Sequence, residues 1–454
     1  MQVKVRFAPS PTGCLHIGNV RIAIINYLFA KKNDGCFLLR IDDTDPERST
    51  KESEDLILND LKWLGIYWDE FVRQSNNFAT YNSAIEYLKS IGRLYACYET
   101  KEELQLKRKA SALRGEAPIY DRSALALTPD DHKRLVNSGV QPYWRFKLSD
   151  DDYIEWDDMI HGKIGIQLNS ISDPILLKSD GNYVYTLASV VDDINYDVTH
   201  IVRGDDHITN TAVQVDLFRA LGKAAPLFAH IPLLFSIDKQ DVSKRMESSL
   251  SIVNMRKEGI LPSVILNMLA TLGTAVNVTY NSSIETLVKR FSFDKMSLAS
   301  PKFDLDNLRF LNRKAIAEKS FDDVRDELMS LQVCDVPPEF WDVIKGNINY
   351  IREAVTWYHA FYGNIDVFEE DKQFLEQLLE TLEQENIDGL DFDQWICDIK
   401  QVSGRKGRNL LHPIRMILTG QEKGPELRSI VHLMGYERIK NRIRNNIVSD
   451  CRKS

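Results

Sequence analysis

The sequence has few cysteines and no spacing that would pair them. The six are widely scattered, without a CxxC pair, at Cys14, Cys36, Cys97, Cys334, Cys397 and Cys451. This pattern argues against a disulfide framework and against a structural zinc site of the usual His/Cys spacing. Free thiols fit a reducing compartment, so we expect a cytoplasmic protein.

Long apolar runs are also missing. The longest uncharged stretch, Gly259 to Ile284, is interrupted by Pro262 and by several asparagines, and its apolar residues recur at the i, i+3, i+4 spacing of a buried helix. The opening residues, Met1 to Phe7, alternate like a strand and are followed by no apolar segment typical of a signal peptide. We therefore expect neither a membrane span nor an export signal.

Positive charge is scarce overall but concentrated at one end. The 454 residues carry a net charge of −9, which argues against nucleic-acid binding over the whole surface. Residues 401–454, however, hold twelve basic and four acidic residues, a local balance of +8. Such a segment suits local contact with a phosphate backbone, although a solvated basic helix face explains the charge equally well.

The chain length predicts three to four domains.

Strand and helix signals alternate in the N-terminal part, as in a parallel α/β sheet. The predicted order is a strand at Val3 to Ala8, a helix at Val20 to Lys31, a strand at Phe37 to Ile41, and a helix at Ser49 to Leu64 with Ser49 as N-cap and Glu52 completing a capping box. The alternation fails between Tyr95 and Tyr185, which predicts an inserted α+β module with a helix at Lys101 to Arg114 and short strands at Tyr143 to Phe146 and Ile164 to Leu168.

The first kind of pattern then returns, with a strand at Val198 to Val202, a helix at Thr211 to Leu221 and the apolar run Ile231 to Phe235 read as a strand. From Pro262 onward nearly every segment has helical periodicity, including Asp371 to Glu385 and Glu437 to Asn446. The fold class predicted is a Rossmann-type doubly wound parallel sheet with an α+β insertion, followed by an all-α C-terminal region.

A loop between the first strand and the first helix is the first candidate site. It runs from Phe7 through Gly13 to His16 and Gly18. Ligands bind at the carboxyl ends of parallel strands, and amides at a helix N-terminus suit phosphate. His16 could donate to phosphate oxygens, and Gly18 would let an adenine lie against bare backbone. A Pro-rich turn with a surface histidine is the alternative.

Two common nucleotide motifs are disfavoured. Gly13 and Gly18 match the glycines of a Walker A loop, but Asn19-Val20 stands where Lys-Ser/Thr is required. No GxGxxG follows a predicted strand, which argues against a dinucleotide-dependent dehydrogenase.

A second candidate site is the tetrapeptide Val242-Ser243-Lys244-Arg245, more than two hundred residues later. Two adjacent cations there could neutralise the charge that develops in nucleotidyl transfer. A surface Lys-Arg pair is common, so its weight depends on meeting the histidine loop across a sheet.

Both loops together resemble the HIGH-type and KMSKS-type signatures of class I aminoacyl-tRNA synthetases. The flanking blocks resemble bacterial glutamyl-tRNA synthetases: Arg6 to Gly13, Leu39 to Asp45, Tyr185 to Asp193, His200 to His207 and, near the C-terminus, Leu410 to Arg415 with Leu418 to Gly420. The resemblance implies activation of L-glutamate by Mg-ATP and transfer to the 3′-terminal ribose of glutamate tRNA and, in some relatives, glutamine tRNA.

The resemblance also assigns site residues. It implies that glutamate is bound by Arg6, Ala8, Ser10, Asp42, Tyr185, Ser189 and Arg203, with the arginines holding carboxylates and Asp42 the ammonium. It implies that ATP is bound by Thr12, His16, Gly18, Asp206, His207, Leu234 and Lys244, and that the catalytic residues are His16, Ser243, Lys244 and Arg245. Without it, the arginines could simply pair with Asp42 or Asp205, and Tyr185 could be a core residue.

Three positions depart from the family pattern. Asp42 is shorter than the usual Glu, Ser189 stands where a longer amide is common, and Asp241 replaces a basic residue. Some relatives carry zinc in the inserted module, but Cys97-Tyr98-Glu99 and Tyr120 to Ser123 lack the ligands, so we expect no metal.

The resemblance implies a modular tRNA-binding monomer. Its expected parts are two halves of the catalytic domain (1–94 and 185–240), a connective domain for the acceptor end (95–184), a KMSKS-type loop with a stem-contact domain (241–313) and an anticodon-binding region (314–454). A glutaminyl-tRNA synthetase, a tRNA-modifying glutamyl-queuosine synthetase and a non-catalytic tRNA-binding paralogue remain alternatives. The first has a β-barrel anticodon part and the second has none, which disfavours both.

Overall fold

A computed structural model describes residues 2–150, 152–236, 250–384 and 390–450. Ser236, Ser449 and Asp450 are described by their backbone alone. The chain divides into two compact units, which are described separately. The first contains Met1–Arg256 and Ile265–Asp304, and the second contains Lys257–Val264 and Leu305–Ser454.

The strands in the described part of the chain all belong to the first unit. In chain order they are β1 (Lys4–Phe7), β2 (Cys36–Ile41), β3 (Glu70–Arg73), β4 (Leu94–Cys97), β5 (Tyr143–Phe146), β6 (Tyr153–Asp158), β7 (Gly162–Gln167), β8 (Ile175–Leu177), β9 (His200–Gly204), β10 (Leu227–Ile231), β11 (Phe235–Ser236) and β12 (Lys302–Phe303).

The described helices begin with α1 (Ile17–Lys32), α2 (Lys51–Trp63), α3 (Phe78–Ser90), α4 (Lys101–Leu113), α5 (Pro129–Asn137), α6 (Tyr185–Asn195), α7 (Ile208–Ala220), α8 (Ile252–Glu258), α9 (Pro262–Thr271) and α10 (Ile284–Arg290). They continue with α11 (Leu305–Glu318), α12 (Phe321–Ser330), α13 (Pro338–Ile344), α14 (Ala354–Tyr362), α15 (Lys372–Gln384), α16 (Phe392–Ser403), α17 (Arg408–Thr419) and α18 (Leu427–Asp450).

Parallel strands form the centre of the first unit, as predicted. β1, β2 and β3 pair in parallel in that order, and β9 pairs in parallel with β10. The two groups meet where the Thr199 amide donates to the Lys4 carbonyl at 2.9 Å. Apart from Lys4, Arg6 and Arg40, the residues of β1 and β2 are apolar, which is typical of parallel strands covered on both faces.

The insertion is less separate from this sheet than its sequence pattern indicates. β4, β5 and β8 form an antiparallel sheet of their own. The hairpin of β6 and β7, in contrast, joins the sheet of β9 and β10, because β6 pairs in parallel with β10 at Asp158 and Phe228. A strand from the insertion therefore lies beside the strands that carry the site.

Two local predictions are wrong. The cap of α2 is Thr50, whose hydroxyl accepts from the Ser53 amide, whereas the Ser49 amide is used by a turn at Asp45. The predicted strand at Ile231 to Phe235 lies earlier, at β10, because Pro232 has no amide hydrogen to extend the ladder. A two-residue strand then starts at Phe235.

The second unit is helical in its described part, as predicted. Its core is one apolar cluster built around the fully buried side chains of Phe340, Trp341, Phe361, Phe374 and Trp395. The last helix is kinked at Gly435, where φ is 71°. That backbone conformation favours glycine, so the basic segment Glu437 to Asn446 follows a real break in direction.

No described helix is long and apolar enough to cross a membrane. The cysteines in the described part of the chain, which excludes Cys451, are free thiols.

Candidate active site

A cleft opens where β1, β9 and β10 end and α1 begins. Its volume is about 480 Å³, and the residues that line it are Arg6 to Ser10, Thr12, His16, Gly18, Asn19, Arg21, Ile22, Tyr185, Val202 to Gly204, Asp206, His207 and Ile231 to Leu234. This is the position at which parallel α/β sheets bind ligands. Most of the residues assigned from the sequence meet here.

His16 caps the helix that points into the cleft. Its Nδ1 accepts a hydrogen bond from the Gly18 amide at 3.1 Å, so the neutral ring carries its hydrogen on Nε2. A Cβ on Gly18 would lie 2.9 Å from His16 Cε1, closer than real contacts allow. A side chain at this position would displace the imidazole, so glycine lets the edge of the His16 ring approach the backbone. The helix N-terminus and this imidazole suit a phosphate group.

The segment that follows the KMSKS-type tetrapeptide lies against the histidine loop. The Ile17 amide donates to the Leu250 carbonyl at 3.1 Å, and the Ile252 amide donates to the Leu15 carbonyl at 2.9 Å. Ser243, Lys244 and Arg245, together with Asp241, lie outside the described residues. Their predicted roles stay predictions.

Arg6 sits at the floor of the cleft in a buried charge cluster. Its Nε donates to Asp193 Oδ1 at 3.1 Å, and Arg40 Nη1 donates to the same oxygen at 2.8 Å. Arg40 Nε donates to Asp42 Oδ1 at 2.7 Å and lies 3.8 Å from Asp192 Oδ2. Two guanidiniums thus face three carboxylates, which leaves one unbalanced negative charge.

Burial in this cluster changes the acidity of Asp42. Burial raises its pKa to about 6, and the attraction of Arg40 offsets only part of the effect. Asp42 is not among the residues that line the cleft. Its backbone amide, however, donates to the carbonyl of Pro9, and Pro9 does line the cleft. The shorter carboxylate is therefore held back by Arg40, one layer behind the surface of the cleft.

Arg203 approaches from β9. Its side chain is 5% exposed, Nη2 donates to Thr211 Oγ1 at 2.6 Å, and Nη1 is buried with no partner in the described part of the chain. Burial lowers the pKa of this guanidinium, which still stays charged at neutral pH. An arginine with a buried unused donor at a cleft is ready to receive a carboxylate.

Tyr185, Asp206, His207 and Leu234 all line the cleft, as assigned from the sequence. The rings of Tyr185 and His207 lie 5.9 Å apart. Burial lowers the pKa of His207, which keeps its ring neutral at pH 7.

Ser189 lies outside the cleft lining and is fully buried on α6. Its Oγ accepts from Gln214 Nε2 at 2.8 Å, and the Gln214 Oε1 has no hydrogen-bond partner among the described residues. The family pattern has a longer side-chain amide at position 189. Here a side-chain amide beside Ser189 comes instead from Gln214 of α7.

Sequence reasoning missed the polar residues behind the cleft, Asp158, Thr211, Gln214 and His230. All are buried. A signal existed for His230, the one polar residue in the apolar strand Leu227–Ile231, and for Asp158, which falls on the buried face of the alternating strand β6.

Within the inserted module, Glu99 is surrounded by donors. Its carboxylate accepts from Tyr120 Oη at 2.6 Å and Tyr143 Oη at 3.1 Å, and Lys107 Nζ lies 3.4 Å away. Among the described residues no group of His, Cys, Asp and Glu is arranged to hold a metal ion.

Known proteins share both the sequence and the fold. Residues 2–310 match the family described as tRNA synthetases class I (E and Q), catalytic domain, and residues 340–447 match the family described as anticodon binding domain. The chain is 44% identical to Glutamate--tRNA ligase 2 of Hyphomonas neptunium, over 97% of this chain and 99% of that protein. It is 43% identical to Glutamate--tRNA ligase 2 of Gluconobacter oxydans, over 98% and 100%.

A crystal structure of a glutamate tRNA ligase from Elizabethkingia meningosepticum, in complex with its amino acid, superposes with a TM-score of 0.85. It is 28% identical and the match covers 99% of this chain and all of that one. With the two family matches and the near full-length relatives, the chain belongs to the class I tRNA synthetases for glutamate and glutamine, in the glutamate--tRNA ligase group.

Proposed function

We propose that this chain activates L-glutamate with Mg-ATP and transfers it to the terminal ribose of tRNA. In the first step the α-carboxylate attacks the α-phosphorus, which forms glutamyl-adenylate and releases pyrophosphate. In the second step the ribose hydroxyl takes the acyl group and AMP leaves. The observation that carries the proposal is a single cleft lined by the buried side chains of Arg6 and Arg203, with Arg21 as a third buried arginine, and by the His16 helix N-terminus.

Glutamate brings two carboxylates and one ammonium, and the cleft offers matching charges. Arg203 has a buried donor without a partner, and Arg6 lines the same cleft, so these two bind the carboxylates. The cluster around Arg40 and Asp42 carries one excess negative charge, which the ammonium offsets. Ala8, Ser10 and Tyr185 complete the amino-acid side, with Ser189 acting from behind.

ATP lies on the other side of the cleft. The amides at the start of α1 and the His16 Nε2 hydrogen face its phosphates. Gly18, whose Cβ direction is taken by the His16 ring, lines the same side of the cleft. Thr12, Asp206, His207 and Leu234 line the same region. Magnesium enters with the nucleotide as part of the substrate. These side chains act by positioning and by electrostatic stabilisation, not by covalent chemistry.

Lys244 supplies the main cation for the transition state, with Ser243 and Arg245 beside it. Support comes from the chain path, because Leu250, six residues after Lys244, bonds to Ile17 at the start of α1. Leu250, where the described structure resumes after Lys244, therefore lies beside the proposed phosphate site.

Further regions bind the tRNA. We assign the acceptor end to 95–184, the stem contact to 241–313 and the anticodon to 314–454. The match of 340–447 to an anticodon binding domain supports the last assignment, as does the basic balance of residues 401–454. We further propose that the protein works as a cytoplasmic monomer.

A charging assay tests the proposal. Labelled glutamate is offered with ATP and purified tRNA, using glutamate-accepting and glutamine-accepting tRNA in parallel, and labelled glutamine is the control. We expect ester formation with glutamate and the first tRNA. Charging by glutamine alone would reassign the chain to the other amino acid of the family, and no charging at all would indicate a tRNA-binding paralogue.

A further inference from the structure

A line of hydrogen bonds runs behind Arg203 and ends on a buried carboxylate. Arg203 Nη2 lies 2.6 Å from Thr211 Oγ1, which lies 2.9 Å from His230 Nε2. His230 Nδ1 lies 2.6 Å from Asp158 Oδ2. None of the four side chains is more than 5% exposed. The line therefore joins β9, α7, β10 and β6, all inside the first unit.

The donors and acceptors along this line can be assigned from the carboxylate outward. Asp158 Oδ1 accepts from the amides of Ile160 and His161, both at 3.0 Å, and from the His230 amide at 3.3 Å. Oδ2 is left for the imidazole, and a carboxylate can only accept there. His230 must then carry its hydrogen on Nδ1, since burial lowers its pKa and keeps the ring neutral.

This tautomer decides what the rest of the line can do. With Nδ1 protonated, Nε2 is an acceptor that faces the Thr211 hydroxyl at 2.9 Å and Arg203 Nε at 3.4 Å. The Thr211 hydroxyl also lies 3.2 Å from the His207 carbonyl, a longer contact that competes for its single hydrogen. Thr211 Oγ1 in turn accepts from Arg203 Nη2. Two edges of the guanidinium are thereby held by acceptors, and Nη1 remains as the buried donor without a partner in the described chain.

We propose that Asp158, His230 and Thr211 are positioning residues that hold the Arg203 guanidinium in the one orientation that presents Nη1 to a substrate carboxylate. This inference rests on the proposed contact between Arg203 and glutamate. Arg203 has no direct carboxylate partner in the described part of the chain, so none competes there with the substrate.

Asp158→Asn is the sharpest perturbation. The three backbone amides fix the amide oxygen of the new residue at the Oδ1 position, so its NH2 group faces His230 Nδ1. The ring must then accept at Nδ1 and carry its hydrogen on Nε2, which points a donor at the Arg203 Nε–H. The arginine turns away while almost no volume changes.

The test measures steady-state charging with each substrate varied in turn. For Asp158→Asn we expect the KM for glutamate to rise about 10-fold, while the KM for ATP and kcat change less than about 2-fold. Asp157→Asn is the matched control, because Asp157 is the exposed neighbour on the same strand, and its kinetics should equal those of the unsubstituted protein. A core residue with no positioning role would lower thermal stability and leave the KM for glutamate unchanged, which would overturn the proposal.

Two further variants separate the possible failures. Thr211→Val removes the hydroxyl with little change in shape, and it should raise the KM for glutamate by a similar factor even if Asp158→Asn does not fold. An unchanged KM in folded Thr211→Val refutes the line. Arg203→Ala should raise the KM at least 100-fold. If it does not, the proposed contact with glutamate is wrong and the positioning inference falls with it. Adding Asp158→Asn to Arg203→Ala should cause no further rise, because there is no guanidinium left to orient.

Discussion

Protonation of Asp42 should weaken glutamate binding as the pH falls through about 6. Burial raises the pKa of this carboxyl to about 6, so the group is charged above that value and neutral below it. The side-chain carboxyl of glutamate, with a usual pKa of about 4.3, stays charged over this window. The acid limb should therefore come from the protein.

The size of the effect follows from the charges that face Asp42. Arg40 and Arg6 oppose Asp42, Asp192 and Asp193, and the ammonium of glutamate offsets the excess carboxylate. Protonating Asp42 removes that excess. One buried charge-assisted interaction is worth about 1.5–3 kcal/mol, which corresponds to a roughly 10- to 100-fold rise in KM.

The assay compares the KM for glutamate against pH in three proteins. The unsubstituted chain should show the acid limb near pH 6, and Asp42→Asn should show a raised KM with the limb removed. Asp60→Asn is the control, because Asp60 is also buried with a pKa raised to about 6 but lies on α2, away from the cleft. A limb that persists in Asp42→Asn, or disappears in Asp60→Asn, would refute the reasoning.

Three other perturbations test neighbouring parts of the site. Gly18→Ala should raise the KM for ATP and leave the KM for glutamate unchanged, because the new Cβ would lie 2.9 Å from His16 Cε1 and displace the ring. Equal increases in both KM values would argue for general disruption of the site. Lys244→Ala should slow adenylate formation by orders of magnitude in a rapid-quench experiment with little change in glutamate binding, and an unchanged rate would exclude it as the transition-state cation. A chain ending near Lys314 should lose tRNA affinity in a filter-binding assay while keeping ATP binding; unchanged tRNA affinity would remove the anticodon role from the C-terminal region.

The sequence predicted well those features that depend on period and spacing. The apolar strands β1 and β2, the helices α1 and α4 and the helical C-terminal part follow from local pattern, and the structure places them within a few residues. The His16 loop was also found, because it follows a strand directly, whereas Arg203, which lies within β9, was assigned from the resemblance to glutamyl-tRNA synthetases. Parallel strands bring such loops to one edge.

What the sequence could not give was set by distant partners. Asp42 was assigned as a direct ammonium ligand, yet Arg40 of β2, which also binds the distant Asp193 of α6, holds its carboxylate behind the cleft. That assignment stays a proposal in a modified form. Asp158 and His230 meet only because a hairpin of the insertion pairs with β10, and no local pattern specifies such a pairing.

Cap choice at α2 shows the same limit on a smaller scale. Ser49 and Thr50 are both good N-cap residues; Ser49 closes a turn with Asp45, and Thr50 is the residue whose hydroxyl reaches the Ser53 amide.

Glutamate-dependent exchange of labelled pyrophosphate into ATP tests the central claim most directly, since it reports on adenylate formation in the cleft. Exchange is measured without tRNA and with each of the two tRNAs. We expect exchange that requires both glutamate and the protein and that is lost in Arg203→Ala. No exchange under any of these conditions would contradict the account.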